Sequence, residues 1–368
     1  MMSDEPAYWL AWSRMSGIGP VLIKRIWQHF GSLQTAWNAP LTAFSEIEKV
    51  GPKMLEAIQA GRKDGNPQKI WDETIAKDFK FWTMNDPDYP RLLLEIPSPP
   101  PVLYYRGIVD LRENHGTKAM VGIVGTRNVT EYGKRWTRKL SQALAYHGFT
   151  VVSGMALGVD TEAHRSCLDA EGRTLAVLGT GIDVVYPRSN LKLCDRIQTQ
   201  GLILSDYPPG IKPEGRNFPP RNRIIAGLSR AVLIIEAATR SGALITARYA
   251  NEFNRDVYAL PGSLDNPMAL GCLELASRGA HLILGEAQLL EMLGEIPQLD
   301  TVTQPLPEPQ LPPTLAPVWD AIATEPTSLD FIIQSTGLAA GDVSAAILQL
   351  EMQDLIVSLP GMRYQKHG

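Results

Sequence analysis

The chain has few cysteines, no long apolar run and little net charge, and each scarcity removes a class of function. Its three cysteines, Cys167, Cys194 and Cys272, stand far apart with no CxxC pair. Neither a zinc site nor a disulfide framework is expected, and buried free thiols in a reducing compartment are. No apolar run approaches the roughly 20 residues of a membrane span. The acidic start, Met1-Met2-Ser3-Asp4-Glu5-Pro6, lacks the basic region of a signal peptide, so a cytoplasmic protein is expected. No GxxxxGK[ST] string occurs, which argues against ATP hydrolysis of the P-loop kind, and Gly122-Ile123-Val124-Gly125 is not GxGxxG. A pI near 5.9 argues against a non-specific coat for duplex DNA, which calls for a strongly basic domain.

What is present is a globular composition, 44% hydrophobic and 20% charged over 368 residues, long enough for two or three domains. Formal net charge is -4, yet Arg216-Asn217-Phe218-Pro219-Pro220-Arg221-Asn222-Arg223 carries three arginines and an aromatic ring with no acid. Guanidinium forks suit phosphate, and a base stacked on an aromatic side chain contributes about 1–3 kcal/mol. The combination points to a phosphate-rich, single-stranded ligand. The bland alternative pairs Arg221 and Arg223 with acids of a sheet and buries Phe218 in a core; the missing acids and an expected turn location favour the ligand.

Apolar spacing predicts an all-helical segment over 1–64, with helices near 7–15, 21–30, 32–38 and 53–62. Two Gly/Pro turns, Gly17-Ile18-Gly19-Pro20 and Val50-Gly51-Pro52, open helices as in helix-hairpin-helix or SAM-like units, where backbone N–H groups can meet phosphate; a plain helical bundle has the same turns. Residues 65–117 are Pro-rich and read as a connector wrapped on the next domain. Over 118–295 apolar strands (119–124, 150–155, 174–179, 202–205, 231–235, 257–260, 281–284) alternate with helices. This is the pattern of a parallel α/β sheet covered on both faces, a Rossmann-like domain. A linker, 296–313, precedes a winged-helix-like domain, 314–368. The third helix of that domain, from Asp342, bears no lysine or arginine. A helix in a DNA groove needs cations, so a protein-contact role is expected for this domain.

Ligands of open α/β sheets sit beyond the carboxyl ends of the strands. Small polar turns fall there: Gly125-Thr126-Arg127, Ser153-Gly154, Gly179-Thr180-Gly181, Ser205-Asp206 and Pro261-Gly262, with Ser241-Gly242-Ala243-Leu244-Ile245-Thr246 opening a helix. Catalytic signals are weak. Asp160 and His164 share a helical face at i,i+4, but no third ligand lies near, and packing explains them better. Glu236, at a strand end, reads equally as a base or as a hydrogen-bonded structural carboxylate.

Taken together these strings resemble the DNA-processing protein A family (DprA, also called Smf). They run densely from Val121 to Ala280 and include Val121 to Arg127, Tyr132-Gly133, Ser153 to Asp160, Ala163-His164, Tyr186-Pro187, Phe218 to Ile225, Ser241-Gly242, Thr246-Ala247 and Pro261-Gly262. Asp86-Pro87-Asp88-Tyr89-Pro90 and Pro101 to Tyr104 resemble the family's approach segment. Thr126 replaces a commoner serine, and Asp206 a commoner glutamate. The resemblance implies a non-enzymatic single-stranded DNA-binding protein without cofactor or metal. Such a protein shields incoming DNA in natural transformation, helps load the RecA recombinase and forms a homodimer through the Rossmann-like domain. The DNA-binding residues expected are Gly125, Thr126, Arg127, Ser153, Gly154, Arg216, Asn217, Phe218, Arg221, Asn222, Arg223, Ser241, Gly242 and Thr246, with Arg216 a rim contact. The rival is a nucleotide-processing phosphoribohydrolase of the lysine-decarboxylase-like type, whose PGGxGTxxE signature is missing at Pro261-Gly262-Ser263-Leu264.

Overall fold

Strand Met120–Val124 has every residue buried, and its side chains alternate between two cores. Met120 and Val124 face one apolar cluster, Val121 and Ile123 the other. A strand with no solvated face must be covered on both sides, and this one lies in the middle of a sheet. The computed structural model describes residues 5–294, 312, 315–322, 327–352, 355–359 and 361–366. The chain divides into two units, Met1–Thr301 and Val302–Gly368. The expected linker at 296–313 lies outside the described residues except for residue 312.

The first unit begins with helices α1 (Glu5–Ser13), α2 (Pro20–Phe30), α3 (Leu33–Asn38), α4 (Pro52–Asp64) and α5 (Pro67–Ala76). Gly19 and Gly51 are the N-caps of α2 and α4, each followed by a proline in the first turn, where the missing N–H costs nothing. Strand β1 (Lys80–Thr83), turn α6 (Arg91–Leu94), strand β2 (Val102–Gly107) and turn α7 (Leu111–Asn114) follow, then β3 (Met120–Val124), α8 (Glu131–Tyr146), β4 (Thr150–Ser153), α9 (Val159–Asp169) and β5 (Thr174–Val177). The remainder is α10 (Leu191–Gln200), β6 (Leu202–Ser205), α11 (Phe218–Leu228), β7 (Ala231–Ile234), α12 (Gly242–Glu252), β8 (Asp256–Ala259), α13 (Leu270–Ser277), β9 (His281–Leu282) and α14 (Glu286–Gly294).

The nine strands form one sheet in the order β1-β2-β6-β5-β4-β3-β7-β8-β9. Seven neighbours from β6 to β9 run parallel, and β2 pairs antiparallel with β6 and β1 with β2. The Pro-rich segment read as a connector thus contributes two strands; flanking prolines at 97–101 masked them. Its aromatics explain their presence: Trp82 stacks on Tyr105 at 4.0 Å between centroids. The helices of 5–64 share one apolar core with the sheet through Trp9, Trp12, Ile26 and Phe44.

The second unit holds α15 (Ala316–Ala321), β10 (Thr327–Ser328), α16 (Leu329–Thr336), α17 (Ala340–Met352), β11 (Ile356–Leu359) and β12 (Arg363–Lys366), its strands ordered β10-β12-β11. Val343, Ile347 and Leu350 of α17 enter a core with Val318 and Ile332. This is a winged helix, with a two-residue strand, β10, that sequence patterning did not signal. Among the described residues no single helix is long and apolar enough to cross a membrane.

Candidate nucleic-acid interface

Helix α8, after β3, packs into one core, whereas α12, after β7, packs into the other. The two connections leave neighbouring strands in opposite directions, so a crevice opens beyond their carboxyl ends. A cavity of about 610 Å³ lies there. Its walls come from the turn after β3 (Gly125, Thr126, Arg127, Asn128), the start of α11 (Phe218, Arg221, Asn222) and the start of α12 (Ser241, Gly242, Thr246), with Asp160 and Tyr186 between.

Backbone geometry fixes the first wall. Thr126 N donates to Glu236 O at 2.7 Å, and Val159 N donates to Thr126 O at 3.2 Å, so the turn is pinned between β7 and α9. Gly158 stands at φ +79°, and a Cβ there would lie 2.4 Å from Thr126 O; only glycine fits. Gly125 is equally confined, since a Cβ would meet Val159 Cγ2 at 2.6 Å. Arg127 is carried outward by this turn. It is exposed and has no carboxylate partner among the described residues, and its guanidinium lies 5.6 Å from the Phe218 ring centroid.

Arg221 is built differently. Only 4% exposed, it donates through Nη1 to Gly154 O (2.8 Å) and to Val177 O, and through Nε to Asn222 Oδ1 (3.2 Å). Asp160 shares its environment: the carboxylate accepts from Gly154 N (3.1 Å) and Ala156 N (3.3 Å). Burial lowers the Arg221 pKa, opposed chiefly by the Asp160 charge. Burial likewise raises that of Asp160, opposed first by Arg221. Gly154 lets both groups close in on its backbone, since a Cβ would sit 2.7 Å from Arg221 Nη2 and 2.8 Å from Asp160 Oδ2. Arg221 therefore lines the crevice as a fixed cation with the Asp160 carboxylate nearby.

The α12 wall offers donors. Ser241 caps the helix, accepting from Ala243 N at 3.2 Å, and Gly242 faces open space. Asn222 Nδ2 donates to Gly242 O (3.2 Å), tying α11 to α12. The Thr246 hydroxyl is fully buried, lines the crevice and has no hydrogen-bond partner among the described residues. A helix N-terminus, an unpartnered hydroxyl and an exposed arginine around one cavity favour an anion.

The other candidates lie outside the cavity wall. Ser153 Oγ donates to Ile123 O (2.6 Å), a fully buried tie between strands. Asn217 is buried, and its carbonyl accepts from the Tyr207 hydroxyl (3.0 Å). Arg216 is exposed and paired with Glu214 at 2.7 Å. Arg223 corrects an expectation: buried, it pairs with Asp206 at 2.8 Å instead of entering the crevice. From Phe218 on, the segment forms the first turns of α11, and Arg216 and Asn217 lie in a short 3-10 helix before it; Pro219 and Pro220 occupy positions where a helix tolerates proline.

Neither catalytic candidate is poised for chemistry. Glu236 accepts from Thr130 N (2.9 Å) and Thr130 Oγ1 (2.5 Å), anchoring the cap of α8. Among the described residues no cluster could hold a metal. The Thr174 hydroxyl gives its proton to Val151 O (2.8 Å), so His164 Nδ1 is the donor in its 2.7 Å contact with that oxygen. His164 is neutral, its pKa pushed down to about 3 by burial and then by Arg221. The unfolded chain takes up this proton near 6.5 and the folded one does not. Stability is therefore expected to fall as pH drops from 6.5 towards 5, this histidine adding a slope approaching about 1.4 kcal/mol per pH unit. His164→Gln should flatten that part of a urea-denaturation series.

Sequence reasoning missed Tyr186, Asp160 and Met268 as parts of the wall. A Tyr-Pro pair in the loop after a strand was a usable signal for the first; the others depend on tertiary placement.

Comparison with known proteins places the chain in a family. The model of the DNA recombination-mediator protein A family matches residues 80–294, and that of the DprA winged helix domain matches residues 302–362. Protein Smf of Synechocystis sp. is 54% identical, with all of both chains covered. The structure of DNA processing protein A from Streptococcus pneumoniae superposes with a TM-score of 0.68 at 33% identity, covering 79% of this chain and 98% of that one. DNA processing protein A from Helicobacter pylori, described for its single-stranded DNA binding mode, gives a TM-score of 0.52 at 32% identity over 58% of this chain and 96% of that one. With a matched family model over most of the sheet unit, a second over the winged helix and a full-length relative at this identity, the chain belongs to the DNA processing protein A (DprA/Smf) family.

Proposed function

We propose that this protein binds single-stranded DNA in the crevice between β3 and β7, as a carrier without catalysis, and passes the strand to the RecA recombinase. The observation that carries the reading is one cavity surrounded by the exposed Arg127, the N-terminus of α12 and the unpartnered Thr246 hydroxyl, with the Phe218 ring in its wall. Arg127 and the α12 N–H groups hold successive phosphate oxygens, Arg221 adds a fixed positive field, and Phe218 stacks on a base. Asp160 is the carboxylate at the cavity, and its hydrogen bonds and the neighbouring Arg221 hold it in a structural role. Delivery to RecA and action in the cytoplasm during transformation rest on family membership. A homodimer is supported by the open sheet edge at β9, where Leu282 is exposed, with Leu284 just beyond it; paired sites would raise avidity.

The test is fluorescence anisotropy of a labelled oligo-dT and a matched duplex. The single strand should bind more tightly, because stacking on Phe218 needs an unpaired base. Phe218→Ala should weaken that binding by at least about fivefold, the loss of a stacking contact of 1–3 kcal/mol, and leave the salt slope unchanged. Equal affinity for both nucleic acids would count against the assignment.

A further inference from the structure

Phe218 is half-buried in the crevice wall. A Cβ on Gly179 would lie 2.7 Å from its Cδ1, and the guanidinium groups of Arg127 and Arg221 lie 5.6 and 5.8 Å from its centroid. A second aromatic surface at the crevice belongs to its neighbour. Tyr186 is 41% exposed, and its ring centroid is 5.7 Å from that of Phe218 with 35° between the planes. Tyr186 lines both the main crevice and an adjoining slot walled by Arg127, the exposed Leu157 and Pro187.

The loop presenting Tyr186 is held at several points. Thr180 Oγ1 donates to Val184 O (2.5 Å), Asp183 Oδ1 accepts from Gly210 N (2.7 Å), and Asn190 Nδ2 donates to Met155 O (3.0 Å) and Thr161 Oγ1 (2.8 Å). A large apolar ring left in water by a well-anchored loop, beside a free guanidinium, is a surface made for a flat partner.

On the reading that the crevice holds a single strand, we propose that Tyr186 is a second stacking residue. It carries the base next to the one on Phe218, so that the site grips two successive unpaired bases while Arg127 holds the phosphate near them. Two tilted rings at this separation favour an unstacked dinucleotide step, which a duplex cannot supply without melting.

The full chain is tested as Tyr186→Ala, Tyr186→Leu and Tyr186→Phe against labelled oligo-dT, and against an oligomer of the same length in which every nucleotide is abasic. Alanine and leucine should each weaken oligo-dT binding at least about fivefold with an unchanged salt slope, and phenylalanine should stay within about twofold of wild type. On the abasic oligomer all four proteins should bind alike. Leucine keeps apolar bulk against Phe218, so wild-type affinity in Tyr186→Leu would assign the side chain to packing and overturn the proposal. Wild-type affinity in Tyr186→Ala, with Arg127→Ala weakened, would overturn it while leaving the crevice as the DNA site. Absence of oligo-dT binding by the wild-type protein would overturn both.

Discussion

Arg221→Ala is expected to lower the folding stability of the sheet unit by about 1.5–3 kcal/mol, the range for losing a charged group that hydrogen-bonds buried acceptors. The reason lies in what remains. Asp160 is 6% exposed, and without the guanidinium its charge would lose its nearby cation while keeping the N–H groups of Gly154 and Ala156. The carbonyls of Gly154 and Val177 would also lose their donor. Adding Asp160→Asn removes the uncompensated charge and should recover part of the loss. Chemical denaturation of the single and double variants checks this. Unchanged stability in Arg221→Ala would mean that the Arg221–Asp160 arrangement is not a structural element of the crevice.

The second large effect is on binding. Arg127→Ala should lower affinity for oligo-dT on the order of tenfold at low salt and make the slope of log K against log salt shallower by about 0.7, as one phosphate contact on a single strand is lost. Its stability should stay within about 0.5 kcal/mol of wild type, because Arg127 is exposed and its guanidinium forms no ion pair among the described residues. Anisotropy across a salt series reads both quantities. The contrast with Arg221 is the point: two arginines near one ring differ because one is carried into solvent by a strand-end turn and the other is locked under a glycine.

Much of this was legible from residues alone. The seven parallel strands declared themselves through unbroken apolar runs such as Met120–Val124, and the small polar turns at their ends marked the crevice. Gly125, Thr126, Arg127, Phe218, Arg221, Asn222, Ser241, Gly242 and Thr246 all line it. Strands β1 and β2 were hidden because proline flanks them and because an edge pair shows no βαβ rhythm. Arg223 misled for a physical reason. A run free of acids says nothing about acids brought in from elsewhere, and Asp206 at the end of β6 meets it through space. Whether an arginine of α11 points into solvent or under the sheet end is set by helix phase, and Pro219-Pro220 concealed the helix itself. Tyr186 escaped notice as a site residue because its value lies in standing beside Phe218, a proximity no spacing encodes.

The measurement that bears most directly on the central claim is photo-cross-linking of the full chain with an oligo-dT carrying 4-thiothymidine, with the adducts located by mass spectrometry. Cross-links are expected within 125–130, 186–187, 213–222 and 238–246, the segments around the crevice, and should be lost in Arg127→Ala at moderate salt. Adducts confined to the helices of 5–64 or to the winged helix, with none at the crevice, would contradict it.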